Sequence, residues 1–136
     1  MALQSRLTPI GSPAFSFDLL DTSGRQRRLS DYDGSSVLVV AFVCNHCPYV
    51  RHIEDHLGLV AARSPATFVG ICSNDAESYP DDAPDRLAEQ AARAGWTFDY
   101  LVDKDQSVAR GYGAVCTPDF FAYGPDRLLA YRGAFD

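Results

Sequence analysis

A layered α/β domain is the fold class this sequence predicts, and three observations predict it. Apolar residues alternate between strand spacing and helix spacing along the chain, turn residues separate the segments, and no internal repeat or low-complexity linker interrupts them. With 136 residues, 46% of them hydrophobic, the chain has the size of a single domain, 1–136, and enough apolar side chains to close a core without metal or disulfide staples.

Residues 1–12 are expected to be a flexible or extended N-terminus. Phe15 to Leu20 alternates, Thr22-Ser23-Gly24 turns the chain and Arg27-Arg28-Leu29 returns, which reads as a short β-hairpin laid before the main fold. Val37 to Val43 is a continuous, β-branched apolar run, as expected of a central strand covered on both faces. After Cys47, Pro48 suits a first helical turn, and Val50, Ile53, Leu57 and Val60 recur at helical spacing. Thr67 to Cys72 is the next buried strand. Asp85 to Ala94 reads as a helix that Gly95 ends, Phe98 to Val102 as a short strand and Ser107 to Tyr112 as a short helix. Asp119 to Tyr123, the turn Gly124-Pro125-Asp126 and Leu128 to Arg132 form a closing antiparallel hairpin.

Charge and composition remove several function classes. A net charge of -6 repels a polyphosphate backbone and no cluster of Lys and Arg offsets it, so nucleic acid is not an expected partner. No apolar run has the length of a signal peptide or a membrane span, and the expectation is a cytoplasmic protein without a membrane partner.

The chemistry-bearing motif is Cys44-Asn45-His46-Cys47, which joins the central strand to the start of a helix. A thiolate is the attacking species in disulfide exchange, and the unpaired N–H groups of a helix start stabilise its charge. On this reading Cys44 is the exposed nucleophile. Cys47, one turn later, is the resolving thiol that displaces a mixed disulfide. Because the two thiols carry the electrons, no cofactor is implied. His46 directly precedes the second cysteine, where an imidazolium favours the thiolate and raises the potential above thioredoxin's ~ -270 mV; the competing reading is a solvent-facing ring of little effect. Cys72 closes a buried strand and reads as a core residue. Helix geometry opposes a zinc site from Cys44, Cys47, His52 and His56, because it carries the two histidines well beyond the cysteine pair, so no metal is expected.

The segment Phe42-Val43-Cys44-Asn45-His46-Cys47-Pro48-Tyr49-Val50 resembles the active-site segment of the redoxin, or peroxiredoxin-like, branch of the thioredoxin-like superfamily. Phe17 to Gly24, Leu29 to Gly34 and Cys116-Thr117-Pro118-Asp119-Phe120-Phe121 are similar to the opening hairpin, the following loop and the proline loop of that branch. The resemblance implies a three-layer α/β/α sandwich with a mixed central sheet, an N-terminal β-hairpin extension and a thiol–disulfide oxidoreductase acting on thiol or disulfide proteins or on low-molecular-weight thiols. It also implies that Pro118 is cis and faces the cysteines, and that Thr117 pairs with the bound partner; Asn45 is expected to contact substrate as well. Cys116, two residues before that proline, is a candidate third redox thiol, with a buried, inert thiol the favoured reading.

Three departures accompany the resemblance. The buried acid that many thioredoxins carry in the strand before the pair is replaced by apolar residues around Leu38, and Val43 stands where a tryptophan is common. Thiol peroxidases, the alternative reading, place a threonine three positions before their cysteine; Ala41 precedes Cys44 and Cys44 itself precedes Cys47 at that spacing, so peroxidase activity is expected to be weak. Domains of this type usually finish with a helix over one sheet face, and here the sequence ends after the last strand at Gly133-Ala134-Phe135-Asp136. An uncovered apolar face would favour a homo-oligomer.

Overall fold

The computed structural model describes residues 8–114 and 117–134. Seven strands form one mixed sheet: β1 (Asp18–Asp21), β2 (Gln26–Arg28), β3 (Leu38–Phe42), β4 (Thr67–Cys72), β5 (Asp99–Val102), β6 (Asp119–Tyr123) and β7 (Leu129–Gly133). Their order across the sheet is β2-β1-β5-β4-β3-β6-β7. Only the central pairs β3–β4 and β4–β5 are parallel, and each needs a crossover. Helix α1 (Pro48–Arg63) crosses from β3 to β4 and α2 (Pro84–Ala94) from β4 to β5, while the short α3 (Ser107–Tyr112) leads from β5 towards β6. The strand centre is apolar on both faces because both faces are covered.

Alternation along the strands divides the core in two. Leu38, Val40, Phe42, Val69, Ile71 and Phe121 point to one side, where Phe17, Tyr32 and the α3 residues Val108 and Tyr112 cover them. Ala41, Val43, Cys44, Cys72 and Phe120 point to the other, against Val50 and Leu57 of α1 and Leu87 of α2. Burying each of these large side chains contributes about 1.5–3 kcal/mol. The sheet face opposite α1 is thus closed by aromatic side chains: Tyr112 packs edge-on against both Phe15 and Phe121.

Of the stretch 1–12, residues 8–12 form a turn stitched to the far edge of the sheet: the Gly11 N–H donates to the Leu129 carbonyl and the Leu129 N–H returns to that of Ser12, both at 2.8 Å. The helical spacing read in α1 also conceals a buried acid. Glu54 lies on the core face, where it accepts from Arg93 Nε at 3.0 Å and from Gln90 of α2. Trp96 Nε1 donates to the Glu54 carbonyl at 2.8 Å, locking the end of α2 onto α1. Gly95 ends α2 in the left-handed region, φ 73°, which a glycine adopts at no steric cost.

That lock depends on Gly58, where a Cβ would lie 2.4 Å from the Ala94 carbonyl oxygen and 3.1 Å from the Trp96 ring. Gly58→Ala is therefore expected to reduce the free energy of unfolding by about 1–3 kcal/mol, read from urea titration. An unchanged midpoint would show that the helices can part without cost.

Candidate active site

Strand β3 ends at Phe42 and α1 begins at Pro48, leaving a corner of five residues, 43–47. Pro48 occupies the first helical position, so Cys47 is the N-cap of α1. The Thr117–Pro118 peptide bond is cis. Thr117 faces the corner, with its hydroxyl 3.4 Å from the Cys44 sulfur and its carbonyl oxygen 3.5 Å from that of Cys47.

This geometry corrects the placement of the two sulfurs read from the motif. Cys44 is not the exposed sulfur at the helix start; it is fully buried at the end of the strand, and Cys47 takes the helix terminus and the partial exposure. Burial pushes the Cys44 thiol up to about 11, with the nearby Asp82 carboxylate adding to the shift and the Thr117 hydroxyl opposing it. Partial burial acts in the same direction on Cys47, but the Thr117 hydroxyl, the Val50 and Tyr49 N–H groups and the Cys44 thiol outweigh it and hold Cys47 below the ordinary thiol range. Cys72 lies at the end of β4, where burial pushes its thiol far up, as suits an inert core cysteine.

Asn45 is likewise not placed to contact substrate. It is buried, its amide nitrogen donates to the Asp81 carbonyl at 2.8 Å, and its Oδ1 accepts from Arg51 and Arg93 at 3.2 and 3.3 Å. Its bonds hold the corner rather than a ligand. His46 is partly exposed at the cavity but its ring is held on two sides. Its ring stacks on Tyr79 with centroids 4.3 Å apart and planes 9° from parallel, and its Nδ1 lies 2.5 Å from Asp82 Oδ2. Cys116 lies outside the described residues.

Asp82, Tyr79 and Gln90 belong to the site and carry no sequence signal that names them. Asp82 sits in a short 3-10 turn, Pro80–Asp82, between β4 and α2, and is 1% exposed. Its Oδ1 accepts the Asn45 and His46 backbone N–H groups at 2.7 and 3.2 Å, and its Oδ2 accepts from Asn74 Nδ2 at 2.9 Å as well as from His46. Gln90 Nε2 donates to the Cys44 carbonyl at 2.8 Å, and Tyr100 holds Gln90 from behind. Among the described residues, the cluster with metal-ligand potential is Cys44, His46 and Asp82. Four N–H donors already fill the acceptor positions of Asp82, so the trio is a hydrogen-bonded cluster rather than a cation cage. His52 and His56 stand on the exposed face of α1.

A cavity of about 420 Å3 opens beside the corner, lined by His46, Cys47, Asn74, Tyr79, Arg110 and Thr117 among others. Cys47 forms part of its wall; Cys44 lies behind it. The arrangement can present one thiolate to an incoming sulfur and keep a second thiol in reserve. No helix of the described residues is long and apolar enough to cross a membrane.

The model of the AhpC/TSA family matches residues 10–135. Among solved structures, the chain is 40% identical to a hypothetical protein of Sinorhizobium meliloti 1021, covering 94% of this chain and 72% of that one at a TM-score of 0.90. It is 39% identical to an uncharacterised conserved protein of Geobacillus kaustophilus, covering 96% and 71% at a TM-score of 0.92. A secreted disulfide oxidoreductase of Mycobacterium tuberculosis, 23% identical, shares the fold at a TM-score of 0.72 over 84% of this chain and 80% of that one. No curated protein matches.

The two thiols should separate in a pH series of alkylation by iodoacetamide, followed by peptide mass spectrometry. Because the Cys47 thiol is held low, its labelling rate should level off at a lower pH than that of free cysteine, whereas Cys44 should stay unlabelled until the pH approaches about 11. Preferential labelling of Cys44 at neutral pH would refute the order.

Proposed function

The chain belongs to the AhpC/TSA family, whose members are redox enzymes with a thioredoxin-like fold, and from that premise we propose that it is a thiol–disulfide oxidoreductase cycling Cys44 and Cys47 between dithiol and disulfide. The observation that carries this reading is the placement of Cys47 at the N-terminus of a 16-residue helix, in the wall of a cavity, with Cys44 buried directly behind it.

In this cycle the Cys47 thiolate attacks a substrate disulfide, one substrate sulfur leaves as a thiolate, and a mixed disulfide forms at Cys47. Cys44 then loses its proton and attacks the Cys47 sulfur. The second substrate sulfur leaves, and the Cys44–Cys47 disulfide remains. Two electrons pass from the protein to the substrate, and the reverse sequence oxidises a dithiol. Thr117 orders both steps by touching both sulfurs. The partners are disulfide or thiol groups on proteins or small thiols whose sulfur enters the cavity beside Tyr79 and Arg110, and the proposed setting is the cytoplasm.

Equilibration in glutathione buffers with mass-tagged alkylation tests the cycle. A reversible two-electron couple between Cys44 and Cys47, with a potential above about -270 mV because the thiolate is stabilised, is the expected result. Cys44→Ser should trap mixed disulfides on Cys47, and Cys47→Ser should form none. No linked disulfide at any poise would overturn the proposal, and turnover of hydrogen peroxide faster than of disulfides would replace it with a thiol peroxidase.

A further inference from the structure

Resting on that reading, the closing step poses a chemical difficulty. Cys44 must lose a proton to attack the mixed disulfide, yet it is fully buried, its thiol is pushed up to about 11 by that burial, and β3 supplies no acid or base beside it. A group from another element stands there instead. Cys44 Sγ, a His46 ring nitrogen and an Asp82 carboxylate oxygen lie within 4.8 Å of one another.

We infer that His46 and Asp82 together receive the Cys44 proton, with His46 as the acceptor and Asp82 as the positioning residue that acts through its ring. Asp82 is suited to that role because it is held from four sides and its side chain is wholly buried, while the His46 side chain is 33% exposed at the cavity. The Asp82 carboxylate oxygen beside Nδ1 favours the tautomer that carries its proton there, which leaves Nε2 as the basic nitrogen. The stack on Tyr79 fixes the ring plane. The groups around His46 are Cys44 and Cys47 from its own corner, Asn74, Tyr79 and Asp82 from the segment after β4, and Arg110 in the wall of the same cavity. As the mixed disulfide closes, the S–H bond of Cys44 breaks, its electron pair forms the S–S bond to Cys47, the substrate sulfur leaves with the pair of the old S–S bond, and the proton moves to the imidazole and then to solvent. In the reverse direction the imidazolium returns it.

Asp82→Asn is a selective test. The amide oxygen can still accept the two backbone N–H groups, but its NH2 opposes the Nδ1–H of His46 and favours the other tautomer. Reduced protein mixed with 5,5′-dithiobis(2-nitrobenzoate) releases one thiophenolate as Cys47 attacks and a second as Cys44 closes the disulfide, so the two steps are read separately. In Asp82→Asn the second release, relative to the first, should slow by about tenfold or more at pH 7 and recover as the pH rises, because solvent base replaces the imidazole. His46→Gln, which leaves Asp82 bonded to the backbone of the corner, should slow the second release alike, and the double variant should be no slower than His46→Gln alone. A second release within twofold of the unaltered protein in either single variant, or a further loss in the double variant, overturns the inference. Loss of the first release in Cys44→Ser with its retention in Cys47→Ser would instead overturn the order of the two thiols.

Discussion

A buried strand that runs into a helix after five residues leaves backbone donors and acceptors with neither a ladder nor a helix to satisfy them, and at this depth they cannot be left unpaired. Everything at the site follows from how the corner 43–47 meets that demand. The Val43 N–H still reaches the neighbouring strand at Ile71, and the Cys47 carbonyl already accepts from Arg51 inside the helix. Between them, Gln90 takes the Cys44 carbonyl, Arg51 takes that of Asn45, and Asp82 takes the N–H groups of Asn45 and His46. Three side chains from three elements therefore define one short loop.

The unequal chemistry of the two cysteines is a consequence of that corner. Cys44, two residues past the end of β3, is drawn into the core beside Val43 and Val50, and desolvation disfavours its thiolate. The residue that caps the helix has a row of N–H groups ahead of it and the cavity beside it. A displacement of one helical turn in sequence thus separates an activated sulfur from a dormant one. The dormant sulfur contributes to the activation, because its thiol donates to the Cys47 sulfur.

Much of this was legible in the sequence. The continuous apolar run at 38–42, the helical spacing after Pro48 and the closing hairpin all depend on local periodicity, and the strands and helices fall where periodicity puts them. The placement of the two thiols was legible too, in Pro48 rather than in the cysteine spacing. The motif Cys-x-x-Cys says only that two thiols meet, whereas Pro48 at the first helical position marks Cys47 as the cap. Asn45 misled because a polar side chain between two reactive cysteines suggests contact with substrate, while the burial that turns it inward is a property of the whole corner. Asp82 could not be read at all. It lies 35 residues beyond Cys47 in a turn bracketed by Pro80 and Pro84, and only the tertiary fold brings it to the N–H groups of the loop.

That placement explains how the domain does without an acid in its central strand. A carboxylate within β3 would need its own partners, in a strand whose backbone groups are already committed to β4 and β6. Asp82 avoids that cost because the N–H groups it accepts are those the corner had to satisfy in any case. One buried group thus closes the backbone accounting of the loop and sets a charge beside the dormant thiol. The structural requirement and the chemical one are divided between its two oxygens: Oδ1 holds the backbone of the loop, and Oδ2 stands beside the ring of His46, so the residue that shapes the loop also sets a carboxylate next to Cys44.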